Sequence, residues 1–179
     1  MLPVTVQERR LLRKGRVFDV TLEKVSLPNG FTLEMEIVRH PGAAAIVALD
    51  PAQRVILLRQ YRHAIGTSIW EIPAGTLEPG EEPLACARRE LMEESGYSAE
   101  HWQYLGAVTP VPGYADEKIQ LFMATGLSPC RPDLDPDEIV QVHSFALDDV
   151  VAMISGGEIQ DAKSISAIFH ILKYLNRIV

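Results

Sequence analysis

Three glutamates, Glu90, Glu93 and Glu94, crowd into the segment Arg89-Glu90-Leu91-Met92-Glu93-Glu94-Ser95-Gly96-Tyr97. On a helix, residues three and four apart share a side, so Glu90 gathers with both Glu93 and Glu94. Like charges at that spacing destabilise a bare helix, and only Arg89 is adjacent to relieve them. A hard divalent cation accounts for the arrangement. Carboxylate oxygens suit Mg²⁺, which prefers octahedral oxygen coordination and commonly shares its shell with substrate phosphates. The chemistry indicated is the handling of a phosphate compound, against the plainer reading of a solvated acidic helix face.

The elements around this cluster must hold it rigidly. A helix is expected from Pro83 to Ser95, because proline suits the first turn and Gly96 stands just past the end. Its stripe Leu84, Ala87 and Leu91, opposite the glutamates, is expected to pack on a sheet. Upstream, VFDVTLEKVSL and FTLEMEIVRH flank Pro28-Asn29-Gly30 and read as a hairpin. The runs AAAIVAL and RVILLRQY, on either side of Asp50-Pro51, read as a second hairpin. Further strands are expected at HWQYLGAV, EKIQLFMATGL and VQVHSFAL. Helical spacing returns in Leu147–Ile154 and in Ser164–Ile178, where Ile165, Ile168, Phe169, Leu172 and Leu175 form one stripe. Strands, one helix, more strands and terminal helices make an α+β order, not a regular βαβ alternation.

The acidic cluster belongs to a longer pattern. Gly75 is followed after five residues by Glu81, and after seven more by Arg89-Glu90, then Leu91, Glu93-Glu94, Gly96 and Tyr97. Coincidence of seven such fixed positions has a chance on the order of 10⁻⁹ to 10⁻⁸ per starting point at average residue frequencies. The segment resembles the Nudix box, with Tyr97 where an aliphatic residue is usual. The runs HPGAAAIVAL, LLRQYRHAIG and WEIPAG, and Pro112-Gly113 sixteen residues beyond Gly96, resemble the branch of ADP-ribose and nucleoside diphosphate sugar pyrophosphatases. Val111 stands where members of that branch often have serine.

The resemblance implies a Nudix α/β/α sandwich of residues 42–179 with a mixed sheet, preceded by an N-terminal β arm, residues 1–41, that exchanges between subunits of a homodimer. It implies Mg²⁺, with Mn²⁺ as a substitute, held by Glu90, Glu94 and the main-chain carbonyl of Ala74, with Glu93 assisting a further ion or its water. Arg89 would orient the glutamates. Glu117 matches a substrate-site glutamate of the branch. Arg59 and Arg62, in RQYR, have the forked guanidinium that matches phosphate oxygens, although one of the two is expected to be structural. Glu71 and Trp70 are expected near the ribose or base pocket, and Pro112 in the loop that marks the branch. His143 and His170 are read as structural. The loop Asp133–Glu138 differs from the family: Glu138 aligns with the second of two customary glutamates, and Pro136 falls where the first would be. The general base is left open among Glu138, Asp137 and Glu93, in that order. The implied reaction is hydrolysis of ADP-ribose to AMP and ribose 5-phosphate. The alternatives are another nucleoside diphosphate sugar, such as GDP-mannose or ADP-glucose, and a catalytically silent nucleotide-sugar sensor.

Composition narrows the partners. With 179 residues, 47% hydrophobic and 23% charged, the chain suits one domain, with room for a small appendage, that buries its core without crosslinks. A net charge of -7 argues against nucleic acid, whose phosphate backbone needs a basic surface. The charged N-terminus and the lack of a membrane-length apolar run point away from export and insertion. Cys86 and Cys130 suggest neither a disulfide framework nor a thiolate metal site, so a cytoplasmic location is expected.

Overall fold

The computed structural model describes residues 3–131 and 139–178. The chain divides into two compact units, Met1–Gly42 with Thr109–Lys118, and Ala43–Val108 with Ile119–Val179.

The first unit is an antiparallel sheet of β1 (Thr5–Lys14), β2 (Asp19–Ser26) and β3 (Thr32–Arg39), in that order. The expected hairpin forms: β2 and β3 pair from Asp19↔Arg39 to Ser26↔Thr32 without a slip. Its turn is closed by the Gly30 N–H donating to the Leu27 carbonyl at 2.9 Å. Gly30 has φ +85°, a conformation that costs glycine little. Strand β1 was not expected, because its charged sequence has no clear alternation; it is exposed at every position and owes its form to pairing with β2. The segment Thr109–Lys118 joins this unit through Val38, which donates to the Tyr114 carbonyl at 2.8 Å and accepts from the Asp116 N–H at 3.2 Å.

The second unit holds two sheets. One has the order β7 (Ala74–Thr76), β4 (Ala43–Ala48), β9 (Ile119–Pro129), β8 (Tyr97–Val108), with β4 and β9 parallel and the other neighbours antiparallel. The other is antiparallel, in the order β10 (Val140–Ala146), β5 (Arg54–Arg62), β6 (Thr67–Glu71). The helices are α1 (Pro83–Ser95), α2 (Leu147–Ser155) and α3 (Ala162–Tyr174).

Strand β4 explains the layering. All six of its residues are buried, as a continuous apolar run requires when both faces of a sheet are covered. Ala43, Ala45 and Val47 enter a cluster with Val150 of α2 and Ala167, Ile168 and Ile171 of α3. Ala44, Ile46 and Ala48 enter a second cluster with Cys86, Ala87 and Leu91 of α1. Helices therefore cover both faces of a mixed sheet, the α/β/α arrangement.

Three local expectations need correction. The runs of β4 and β5 do not form a hairpin; they share one bridge, Leu49↔Val55, and then enter different sheets. The reason is that β7 and β9 occupy both edges of β4 and leave none for β5. On α3 the buried residues include Ala167, Ile168 and Ile171, while Phe169 is 55% exposed. On α1 the glutamates do not lie opposite the packing face. Ala87, Glu90, Leu91 and Glu94 are all buried and share one stripe, and Leu84 is exposed.

Candidate active site

Helix α1 begins with Pro83 in its first turn and ends at Gly96, whose φ of +69° lets its N–H turn back to the Met92 carbonyl at 3.0 Å. Between these ends, Ala87 and Leu91 anchor the helix on β4 and thereby set where the glutamates can reach. Glu90 is 8% exposed and Glu94 2%. Carboxylates are buried at such levels only with strong partners, and the partners here are specific.

Arg89 is the hub. Its Nε and Nη2 donate to the two oxygens of Glu81, each at 3.0 Å, in a bidentate fork. Its Nη1 donates to Glu90 Oε1 at 2.7 Å and to Glu93 Oε2 at 3.0 Å. Nη2 also reaches the Thr76 carbonyl of β7 at 3.2 Å. One guanidinium thus ties three carboxylates of the motif to the strand that precedes them. The Arg89 hydrogen bond, helped by the Glu78 N–H and outweighing burial, pushes the Glu81 carboxyl down to about 2. Reciprocally, the hydrogen bond to Glu81 outweighs burial and, with the charge of Glu90 and the hydrogen bonds to Glu90 and Glu93, holds the Arg89 proton more firmly than usual. Burial, with the charges of Glu90 and Glu81, pushes the Cys86 thiol up to about 12, so that side chain is an inert filler under the helix.

Glu94 is tied differently. Its Oε2 accepts the Ala74 N–H at 2.8 Å, which fixes the first residue of β7 against α1. Gly75 follows, and its lack of a side chain is required: a Cβ there would lie 1.8 Å from Glu90 Oε1 and 1.9 Å from its Cδ. The Glu90 carboxylate fills the space that any other residue at 75 would occupy. The motif glycine is thus a cradle for the motif glutamate, a relation that spacing alone does not disclose.

These donors fit a hard divalent cation. They are carboxylate oxygens on a rigid helix, and the glycine gap seats one of them close to the β7 backbone. Among the described residues no group of three or more acidic, histidine or cysteine side chains forms a ready cage. Mg²⁺ does not demand one, since it usually keeps waters and takes one or two carboxylates together with substrate phosphates.

The two arginines of RQYR lie on opposite faces of β5, as an odd separation along a strand dictates. Arg59 stands over the Trp70 indole, 5.2 Å from its centroid. His143 meets the same indole edge-on at 5.0 Å. Arg62 turns to Glu71, with Nε to Oε1 at 2.7 Å and Nη2 to Oε2 at 3.0 Å. Glu71 is 2% exposed and also accepts from Lys163 Nζ. Burial favours the protonated form of Glu71, but the Arg62 hydrogen bonds and the Lys163 charge prevail and keep it below the usual carboxylate range.

Pro112 and Glu117 belong to the first unit. There Asp116 accepts from Arg39 Nη1 and from the His40 N–H, both at 2.9 Å, and a Glu117 oxygen lies 3.8 Å from His40 Nδ1. Glu138 and Asp137 lie outside the described residues. The structure therefore brings together Ala74, Arg89, Glu90, Glu93 and Glu94, pairs Arg62 with Glu71, and sets Arg59 on Trp70. Sequence reasoning did not single out Lys163, Asp161 or Ser164. The signal was present in Asp161-Ala-Lys-Ser164, a helix-capping spacing in which Asp161 accepts the Ser164 N–H at 3.0 Å.

Fold and site together define a class: an α/β/α domain presenting an arginine-tied row of helix carboxylates above a glycine-bearing strand. The NUDIX domain family matches residues 38–168, and the chain belongs to that family. A methanol dehydrogenase activator of Bacillus methanolicus is 43% identical over 156 residues, 86% of this chain and 84% of that protein. An ADP-ribose pyrophosphatase of Bacillus subtilis (strain 168) is 42% identical over 156 residues, again 86% of this chain and 84% of that protein. A crystal structure of an ADP compounds hydrolase superposes with a TM-score of 0.86 at 22% identity, covering 99% of this chain and 96% of that one, a likeness of fold.

Proposed function

We propose that the protein hydrolyses the pyrophosphate bond of ADP-ribose, giving AMP and ribose 5-phosphate, with Mg²⁺ as its working cation. The observation that carries this reading is the intact carboxylate row, with Glu90 seated over Gly75 and tied by Arg89. A sensor that only bound nucleotide sugars would have no use for so exact a seat. The substrate is supported by the names of two relatives, the Bacillus subtilis protein and an ADP-ribose pyrophosphatase of Mycobacterium tuberculosis that is 35% identical over 160 residues.

Glu90, Glu94 and the Ala74 carbonyl would hold the cation, with Glu93 beside them. Bound there, it supplies positive charge against the diphosphate and Lewis acidity toward water and the phosphoryl oxygens. Arg89 keeps Glu90 and Glu93 in place, and Glu81 keeps Arg89 in place. A carboxylate, Glu138 first and then Asp137 or Glu93, accepts the proton of the attacking water as the new P–O bond forms and the bridging P–O bond breaks. Arg59, Pro112 and Glu117 are assigned to the substrate side. Arg62, whose fork is closed by Glu71, is assigned to support.

The test is product release from ADP-ribose, GDP-mannose and ADP-glucose with Mg²⁺ and with Mn²⁺. Preference for ADP-ribose with AMP as product supports the reading, preference for another sugar moves the specificity, and no turnover across the panel favours a sensor. The reading extends to a cytoplasmic homodimer that shares residues 1–41 as a β arm. Among the described residues no helix is long and apolar enough to cross a membrane. Removing residues 1–41 is expected to give a monomer or an aggregate with weakened substrate binding, because lost pairing exposes strand edges. A well-behaved dimer with unchanged KM takes the arm out of the account.

A further inference from the structure

The short crossing from β6 to β7 is tied at every residue. The Glu71 carboxylate accepts from Arg62 of β5 and from Lys163 of α3. The Ile72 N–H donates to Ser164 Oγ at 2.9 Å. The Pro73 carbonyl accepts from the Ile46 N–H at 2.8 Å, and the Ala74 N–H donates to Glu94 Oε2 at 2.8 Å. Two consecutive residues at the start of α3 therefore grip the two residues that lead into the site. Asp161 secures that grip from below: its Oδ2 accepts from Lys163 Nζ at 3.0 Å, from the Ser164 N–H at 3.0 Å, and from the Ser164 hydroxyl.

Stability alone is a weak reason for this construction. Lys163 is 9% exposed, and burying it with Glu71 incurs a desolvation cost that apolar side chains of similar volume would avoid. What charge-assisted hydrogen bonds add is direction, because they hold a backbone segment at one distance and angle. The segment so held ends at Ala74, whose N–H orients the Glu94 carboxylate and whose carbonyl is the assigned main-chain ligand.

We propose that Lys163 and Ser164 are positioning residues for the cation site, acting through Glu71–Ala74 to set Ala74 and Glu94. The inference rests on the Mg²⁺ hydrolase reading, but its principal readout does not need the reaction. Partners that orient metal ligands typically contribute about 10- to 100-fold in metal affinity or activity. Lys163→Met keeps the stem and removes the cation; Ser164→Ala removes the acceptor for the Ile72 N–H. Mn²⁺ binding to the full-length protein, followed by electron paramagnetic resonance of the free ion, should weaken about 10- to 100-fold in each. In turnover, kcat should fall at fixed Mg²⁺ and recover partly as Mg²⁺ is raised, with KM for ADP-ribose little changed.

Ile171→Val is the control, since it trims the buried face of the same helix but removes none of the hydrogen bonds that tie the crossing, and it should leave Mn²⁺ binding as in the wild type. If Lys163→Met does not fold, Ser164→Ala carries the test alone. Wild-type Mn²⁺ affinity in a folded Ser164→Ala or Lys163→Met overturns the inference, as does equal weakening in Ile171→Val. A wild-type protein that binds Mn²⁺ yet cleaves no sugar nucleotide overturns the functional reading and leaves the positioning test standing. One that binds no Mn²⁺ overturns both.

Discussion

Gly75→Ala separates the position of Glu90 from the integrity of the fold. Gly75 does not have a positive φ, so alanine brings no backbone strain, and the three heavy atoms nearest the new Cβ all belong to the end of one flexible side chain. To bring the 1.8 Å overlap with Glu90 Oε1 to an ordinary contact of about 3.5 Å, the carboxylate must move by about 1.7 Å. Doing so breaks its 2.7 Å hydrogen bond from Arg89, a charged bond of about 1.5–3 kcal/mol, while alanine returns about 0.4–1 kcal/mol through the unfolded chain. The net expectation is a loss of about 1–2 kcal/mol, or about 2–8 °C in Tm for a chain of this size. Catalysis should suffer far more. A misplacement of about 1 Å can cost about 10²-fold, so kcat should fall at least that much, about 2.7 kcal/mol of barrier. Thermal unfolding with AMP release from ADP-ribose at saturating Mg²⁺ reads both quantities. A stable variant with kcat within about threefold of wild type would refute the seating of Glu90 as a requirement of the reaction.

Glu94→Gln and Glu90→Gln should each retain the fold and lower kcat by several orders of magnitude, since charge is removed and shape kept; near-normal turnover at saturating Mg²⁺ would show that ligand to be misassigned. Glu138→Gln should cost about 10²- to 10⁴-fold, more than Asp137→Asn, with a residual rate that rises with pH; equal and small effects would move the base to Glu93. The Glu71 carboxyl is lowered from 4.5 in the folded protein, so its contribution to stability is present above about pH 4.5 and is lost as pH falls through the lower folded value. The gap in urea midpoint between wild type and Glu71→Gln should therefore be constant at neutral pH and shrink in acid below 4.5; a gap that does not change with pH contradicts the pairing with Arg62 and Lys163.

The sequence was most legible where spacing and chemistry agree. Helix α1 runs from Pro83 to Ser95, as its proline and glycine signals require, and on it one nitrogen of Arg89 reaches both Glu90 and Glu93. The buried run of β4 gave its strand but not its neighbours, because strand partners are chosen by tertiary packing and a short turn does not oblige the strands it joins to pair. Strand β1 was hidden because it buries nothing, so periodicity had nothing to report. The face of α1 was misjudged for a related reason: hydrophobicity places glutamate outside, whereas Glu90 and Glu94 are inside because Arg89 and the Ala74 N–H receive them. The capping spacing of Asp161 and Ser164 marks where α3 begins, but it does not disclose that Lys163 meets Glu71, 92 residues away in sequence.

Arg89 has a consequence for the life of the protein between catalytic cycles. Three carboxylates packed beside one another would push a helix apart unless something positive stood among them, and in many small metalloproteins that something is the ion itself, so that chelation unfolds the chain. Here the polypeptide brings its own counter-charge, fastened to Glu81, Glu90, Glu93 and the Thr76 carbonyl. Assembly of the domain is therefore expected not to depend on cation supply. A chelator should silence the enzyme without melting it, and a cell short of the divalent cation would hold a folded reserve, ready to resume work when the ion returns.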